Sequence, residues 1–139
     1  MTKPTLIVWP EVPGPLYYYR DAEFREKVAR LARTSHSYLL FGTVANTKTG
    51  APLNSAVALT PDGELVDRYD KINLVPFGEF VPQLFSFVNR ITQETGDFEQ
   101  GTRVVVFPVQ GHRVGTFICY ESAFPHAVRQ FAQLGADLL

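Results

Sequence analysis

The order in which strand-like and helix-like patterns alternate constrains the fold of this chain more than any other feature. A short apolar run at 5–9, TLIVW, is bounded by prolines and predicts a buried strand. The segment 22–35 repeats apolar residues at helical spacing and follows Asp21, a residue type that caps helices, so it predicts an amphipathic helix. A second strand is predicted over 38–45, YLLFGTVA.

Two strand-turn-strand hairpins are predicted after this first unit. One pairs 55–60 with 64–69 around Pro-Asp-Gly, a sequence that favours a turn. The other pairs 104–109 with 114–120 around Gln-Gly-His. Because helices and single strands alternate with hairpins, we expect a layered α/β sandwich and not a purely parallel nucleotide-binding sheet.

Three further segments complete the pattern. Residues 71–82 carry two prolines and a glycine and predict a loop, and 83–92 predict a short helix. An apolar stripe over 127–134 predicts a helix that ends before Gly135. An apolar run begins within a few residues of Met1 and the chain stops partway into another, which predicts that residues 1–139 are a partial domain truncated on both sides.

The composition narrows the classes of protein to which the chain can belong. A net charge of -1 and 45% hydrophobic residues are typical of a globular protein and argue against a basic nucleic-acid surface. A single cysteine excludes an intrachain disulfide, and His36, His112 and His126 lack metal-ligand spacing. No apolar run approaches the roughly 20 residues that span a bilayer, so we expect this segment itself to be soluble.

Three polar residues follow apolar runs, where a sheet can present side chains to one cleft. Glu11 follows TLIVWP, Lys71 follows the strand that ends in Arg-Tyr-Asp, and Cys119 closes VGTFIC. A thiol must lose its proton to become a nucleophile, and Glu11 could accept that proton. Lys71 could favour the thiolate and hold the negative charge that develops on a substrate carbonyl oxygen.

Each of these residues also has an ordinary interpretation. A cysteine that ends an apolar strand is more often a small core residue, and Glu11 and Lys71 are types that usually lie at the surface. A Cys-His pair between Cys119 and one of the three histidines is a weaker alternative.

Three short motifs resemble those of the nitrilase, or carbon-nitrogen hydrolase, superfamily: WPE at 9–11, YDKINLVPFGEFVP at 69–82 and ICYE at 118–121. Within it, the Lys-x-x-Leu-Val-Pro-Phe-Gly-Glu-Phe-Val-Pro stretch is similar to the apolipoprotein N-acyltransferases. The resemblance covers essentially the whole chain. It implies an α-β-β-α sandwich, here incomplete.

The resemblance also implies roles for individual residues. Glu11 would be the general base, Lys71 the oxyanion stabiliser and Cys119 the nucleophile. Glu79 would help to position the lysine and the acyl carbonyl. Tyr120 and Glu121 would support the site, with the Tyr120 N–H as a candidate oxyanion donor.

The implied reaction moves a fatty acyl chain from a phospholipid, through a cysteine thioester, to the N-terminal amine of a diacylglyceryl-modified apolipoprotein. It needs neither a metal nor an organic cofactor and involves no nucleic acid. The resemblance places the domain on the periplasmic side of the bacterial inner membrane, anchored by segments absent from this chain. The apolar region 80–91 would face lipid, line an acyl groove or form a short core helix. The alternatives are a soluble amidase or nitrilase with the same triad, or an inactive fragment.

Overall fold

The structure is a computed structural model that describes residues 3–11, 17–76, 79 and 98–139. Its regular elements are β1 (Leu6–Val8), α1 (Ala22–Ser35), β2 (Tyr38–Asn46), β3 (Pro52–Leu59), β4 (Leu65–Asp70), β5 (Val106–Val109), β6 (His112–Gly115), a short 3-10 helix (Cys119–Ala123) and α2 (Pro125–Gln133). Among the described residues, no helix has the length and apolar character that crossing a membrane requires.

The strands form two sheets. The larger has the order β1-β2-β3-β4, with β1 parallel to β2 and the other neighbours antiparallel. The smaller sheet pairs β5 with β6, and Leu138 adds a parallel bridge to Val114. The mixed pairing confirms that the chain does not form a purely parallel sheet.

The alternation of side chains along β2 and β3 builds a core on each face of the larger sheet. Leu39, Phe41, Val57 and Leu59 point to the face that α1 covers. The intervening residues belong to a second core that includes residues from β4, β5 and α2: Leu40, Ala56, Ala58, Tyr69, Phe107 and Phe131. The layers are therefore α1, the larger sheet, and a second layer containing β5, β6 and α2, which fits an incomplete α-β-β-α sandwich.

The first helix confirms its sequence prediction. It begins at Ala22 and ends at Ser35. The Asp21 carboxylate accepts a hydrogen bond from the Phe24 N–H at 2.9 Å, which satisfies one of the free donors of the first turn.

The second predicted hairpin needs correction. We predicted its returning strand over 114–120, but β6 spans His112–Gly115 and Cys119 begins a 3-10 helix instead of closing a strand. The apolar residues of VGTFIC reflect burial in a core and not continued strand pairing. Ile118 packs into the second core but lies outside any strand. The predicted helix at 83–92 and most of 77–82 lie outside the described residues.

Candidate active site

A buried lysine lies between two glutamates. Lys71 directly follows β4, and only 1% of its side chain is exposed. Its Nζ lies 2.7 Å from Oε2 of Glu79 and 3.7 Å from Oε1 of Glu11. Of these two contacts, only the one with Glu79 has the length of a hydrogen bond.

Asn54, on β3, links the same two glutamates. Its Nδ2 donates to Oε1 of Glu11 and to Oε1 of Glu79, both at 2.7 Å. Sequence analysis missed this residue, because one asparagine in a strand of apolar and small residues carries no motif. The predicted strand begins at 55, so the only available signal was a polar side chain one residue before a run that predicts a buried strand.

Backbone contacts fix where Lys71 lies. Its N–H donates to the Asn54 carbonyl at 2.8 Å, which continues the β3–β4 pairing, and its carbonyl accepts from the Gly101 N–H at 2.8 Å. A side chain at position 101 would place its Cβ 2.0 Å from the Asp70 carbonyl oxygen, so the close approach of these two segments requires glycine there.

The environment of Glu79 favours its ionised form. Burial raises the pKa of Glu79, but hydrogen bonds from Lys71, the Val75 N–H and Asn54 outweigh it and hold the pKa below its usual value. A lowered folded-state pKa stabilises the fold at neutral pH, and this contribution is lost as the pH falls through that pKa. Glu79 therefore provides a fixed negative charge against Lys71.

Cys119 lies at the first position of the 3-10 helix. Its φ is 53°, in the left-handed region that costs a non-glycine residue roughly 1–3 kcal/mol. The residue is exposed and lines a cavity of about 170 Å³ together with Trp9, Glu11, Asn54 and Phe117. The strained backbone thus presents a thiol to the cavity that Glu11 and Asn54 also line.

Glu121 joins the segment after Lys71 to the segment before Cys119. Its carboxylate is 1% exposed and accepts four hydrogen bonds. Oε1 accepts from the Tyr69 hydroxyl at 2.8 Å and from the N–H groups of Ile72 and Asn73 at 2.8 and 3.0 Å. Oε2 accepts from the Ile118 N–H at 2.8 Å.

These four hydrogen bonds join the backbone beside Lys71 to the backbone beside Cys119, and we call Glu121 the clamp for this reason. Ile72 is the residue after Lys71 and Ile118 is the residue before Cys119, so one carboxylate sets their backbones relative to each other. Burial, and then the hydrogen bond to Glu121, raise the pKa of Tyr69 above its usual value, so its hydroxyl stays protonated and continues to donate.

We expect Glu121→Gln to lower the free energy of unfolding by about 2–3 kcal/mol, because hydrogen bonds to a charged acceptor are stronger than neutral ones and the new amide opposes a buried donor. Tyr69→Phe removes one of the four bonds and should cost about 1 kcal/mol. Urea denaturation followed by circular dichroism measures both changes. An unchanged unfolding midpoint for Glu121→Gln would contradict the clamp.

Tyr120 has a different environment from Glu121. Its ring is 48% exposed and meets Phe124 edge to face at 5.2 Å. Its N–H lies in the first turn of the 3-10 helix, where backbone donors have no acceptor within the helix. The role of the Tyr120 N–H as an oxyanion donor stays a prediction.

The histidines lie elsewhere in the structure. His36 ends α1, His112 lies in β6 and His126 packs its ring against Phe124 in α2. No described histidine lines the cavity that Cys119 borders. Within the described ranges, no group of three or more His, Cys, Asp and Glu side chains is placed to hold a metal ion.

A larger surface hollow of about 410 Å³ is lined by Tyr19, Arg68 and Arg103, among others. Its charges are already paired, Arg103 with Asp67 at 2.8 Å and Arg68 with Asp70 at 2.8 Å. We therefore assign the chemistry to the smaller cavity beside Cys119.

Curated proteins with similar sequences include apolipoprotein N-acyltransferases. The apolipoprotein N-acyltransferase of Geobacter metallireducens is 37% identical, and the match covers 96% of this chain but 27% of that protein. The Aquifex aeolicus apolipoprotein N-acyltransferase is 32% identical, with 93% and 29% covered. The chain thus spans less than a third of the length of these curated relatives.

Solved structures share the fold. An amidase from Nesterenkonia sp. superimposes with a TM-score of 0.70 at 20% identity, over 95% of this chain and 49% of the amidase. A glutamine-dependent NAD+ synthetase from Acinetobacter baumannii gives 0.62 at 27% identity, over 97% and 25%. The family model for carbon-nitrogen hydrolases matches residues 3–139, and the chain belongs to that family.

Proposed function

We propose that this chain carries the catalytic groups of an apolipoprotein N-acyltransferase, with Cys119 as nucleophile, Glu11 as general base and Lys71 as oxyanion stabiliser. One observation carries the proposal. A buried lysine is paired with two glutamates, and one of these, Glu11, lines the same small cavity as a strained, exposed cysteine. The curated relatives that match across the chain support the choice of reaction.

The first half of the reaction forms a thioester. Glu11 takes the thiol proton, and the Cys119 sulfur attacks the ester carbonyl carbon of a phospholipid acyl chain. Lys71 donates a hydrogen bond to the oxyanion. The ester C–O bond then breaks, and Glu11 returns the proton to the leaving oxygen of the lysophospholipid.

The second half moves the acyl group to an amine. The α-amino nitrogen of a diacylglyceryl cysteine attacks the thioester carbonyl, and Glu11 takes one of its protons. The C–S bond breaks, and the thiolate of Cys119 is restored or reprotonated. The products are an N-acylated lipoprotein and free enzyme, so the kinetics are ping-pong.

The membrane setting belongs to the same proposal. The phospholipid donor and the lipid-modified acceptor both reside in a bilayer, so the whole protein acts at the membrane surface, on the periplasmic side of a bacterial inner membrane. The segments that would anchor it are part of the proposal, since the chain spans less than a third of its curated relatives.

We expect incubation with phospholipid alone to add one acyl group to the protein, because the acceptor amine is absent and a site with little water slows hydrolysis. Intact-mass spectrometry detects the adduct. A peptide that begins with a diacylglyceryl cysteine should then discharge it, whereas the same peptide with an acetylated N-terminus should not.

The rival function is that of an amidase that uses the same three residues. We consider it because this chain shares its fold with the Nesterenkonia amidase. An amidase would release ammonia from a small amide such as propionamide and would form no adduct with phospholipid. Ammonia release without an acyl adduct would overturn the acyltransferase proposal.

A further inference from the structure

The side chain of Asn54 is used in an unusual way. The residue is 4% exposed, and both contacts of its Nδ2 are to carboxylates that come from segments 43 and 25 residues away in the chain. Its Oδ1 is buried and has no hydrogen-bond partner in the part of the chain that the structure describes. Burying an amide oxygen without a hydrogen bond costs free energy. The arrangement of Asn54 therefore favours its two carboxylate partners at the expense of its own oxygen.

The orientation of the amide follows from its neighbours. If the oxygen and nitrogen were exchanged, Oδ1 would lie 2.7 Å from two carboxylate oxygens, and acceptors would face acceptors. Both amide hydrogens are therefore committed to Glu11 and Glu79.

The consequence differs for the two glutamates. Glu79 also binds Lys71 and the Val75 N–H, so Asn54 is one of three donors to it. Glu11 receives a hydrogen bond from Asn54 and has only the longer contact with Lys71, and both involve Oε1. Both printed contacts of Glu11 with described residues involve Oε1, so Oε2 is the oxygen that we assign to the proton of Cys119, which lines the same cavity.

We infer that Asn54 is a positioning residue that holds the carboxylates of Glu11 and Glu79 around Lys71 and orients Glu11 to accept the proton of Cys119. The inference rests on the proposed function in one respect, that Glu11 is the base. It extends that function by assigning a fourth side chain, from β3, to the activation of the thiol. Among the described residues, the titratable groups bonded to the Asn54 side chain are Glu11 and Glu79, which both contact Lys71, and Cys119 lines the same cavity as Asn54.

The test uses the rate at which iodoacetamide alkylates Cys119, followed by intact mass as a function of pH. The chain has one cysteine, so the signal belongs to a single thiol. Asn54→Leu keeps the approximate volume and removes both donors. Hydrogen bonds to a carboxylate favour its ionised form, so their loss makes the carboxylate a proton acceptor only at higher pH. We therefore expect the acidic limb of the plot of alkylation rate against pH to shift to higher pH by about one unit. On that limb, the alkylation rate should fall about tenfold.

Asn54→Asp separates positioning from packing. It preserves the shape, but at neutral pH its carboxylate cannot donate and adds a negative charge beside two others. Once protonated, it can donate one hydrogen bond. The ratio of the alkylation rate of Asn54→Asp to that of Asn54→Leu should therefore rise as the pH falls. Asn46→Leu, at the end of β2 and bonded only to a loop carbonyl by its Nδ2, is the matched control and should keep the wild-type profile.

Either variant can overturn the inference. A wild-type pH profile for Asn54→Leu, or for Asn54→Asp should the leucine variant fail to fold, would show that Asn54 does not act on the thiol. Parallel profiles for the two variants would show that only the packing of the side chain matters. Because alkylation needs no acyl donor, a shifted profile in a protein that forms no phospholipid adduct would retain Asn54 and reject the proposed function.

Discussion

We expect replacing Cys119 with serine to abolish formation of the acyl adduct, the largest effect of any single substitution in the chain. A hydroxyl is a far weaker acid than a thiol, so a carboxylate base such as Glu11 cannot generate its alkoxide at a useful rate. The side chain is exposed, so Cys119→Ser should leave the melting temperature unchanged. Intact mass after incubation with phospholipid reads the result.

A matched control moves the thiol by three residues. Ser122 is exposed, and its hydroxyl donates to the Cys119 carbonyl at 3.2 Å. Ser122→Cys in the Cys119→Ser background restores a thiol on the same 3-10 helix, but outside the cavity that Glu11 lines. Acylation of that double variant, or of Cys119→Ser itself, would show that position 119 is not the nucleophile.

The second large effect is expected at Lys71. Removing one oxyanion donor typically slows the reaction by about 100- to 1,000-fold, so Lys71→Ala should form the adduct at least that much more slowly. Lys71→Arg should not rescue the rate, because a planar guanidinium differs in shape and donor geometry from the compact ammonium that lies 2.7 and 3.7 Å from two glutamate oxygens. Single-turnover acylation followed by intact mass measures both variants.

Lys71→Ala should also destabilise the fold, since it leaves the partly buried carboxylate of Glu79 without its cation. Breaking a buried ion pair costs about 3–5 kcal/mol, and the exposed third of Glu11 should keep the total near the lower end. Lys27→Ala is the control, because its side chain is 59% exposed and paired only with Glu23. Near-normal acylation by folded Lys71→Ala would reject the role of the lysine.

Much of the fold could be predicted from the periodicity of the sequence. The 22–35 helix and its Asp21 cap depend on local spacing and on one side chain, so both are correct. The strand predicted over 114–120 is wrong because burial and strand pairing give the same apolar pattern. Phe117 and Ile118 pack into a core while the backbone has already left β6.

The residues of the site also differ in whether the sequence could predict them. Lys71 and the two glutamates it contacts carry recognisable motifs, and the structure brings them together. Asn54 could not have been found, because its function comes from register. The pairing of β3 with its neighbours places its side chain beside residues 43 and 25 positions away, and no local pattern encodes that distance.

The strand that precedes Glu11, β1, has a consequence for the thermal behaviour of the site. In the described part of the chain, β1 has three residues, pairs only with β2 and leaves Val8 62% exposed. Short edge segments with few buried contacts open at a lower free energy than the rest of a domain. Amide hydrogens of β1 should therefore exchange with solvent deuterium before those of β3, at temperatures where the remainder stays folded. Each such opening would withdraw Glu11, the proposed base, while Cys119, Lys71 and Glu121 remain in place, so we expect inactivation on warming to precede unfolding and to reverse on cooling.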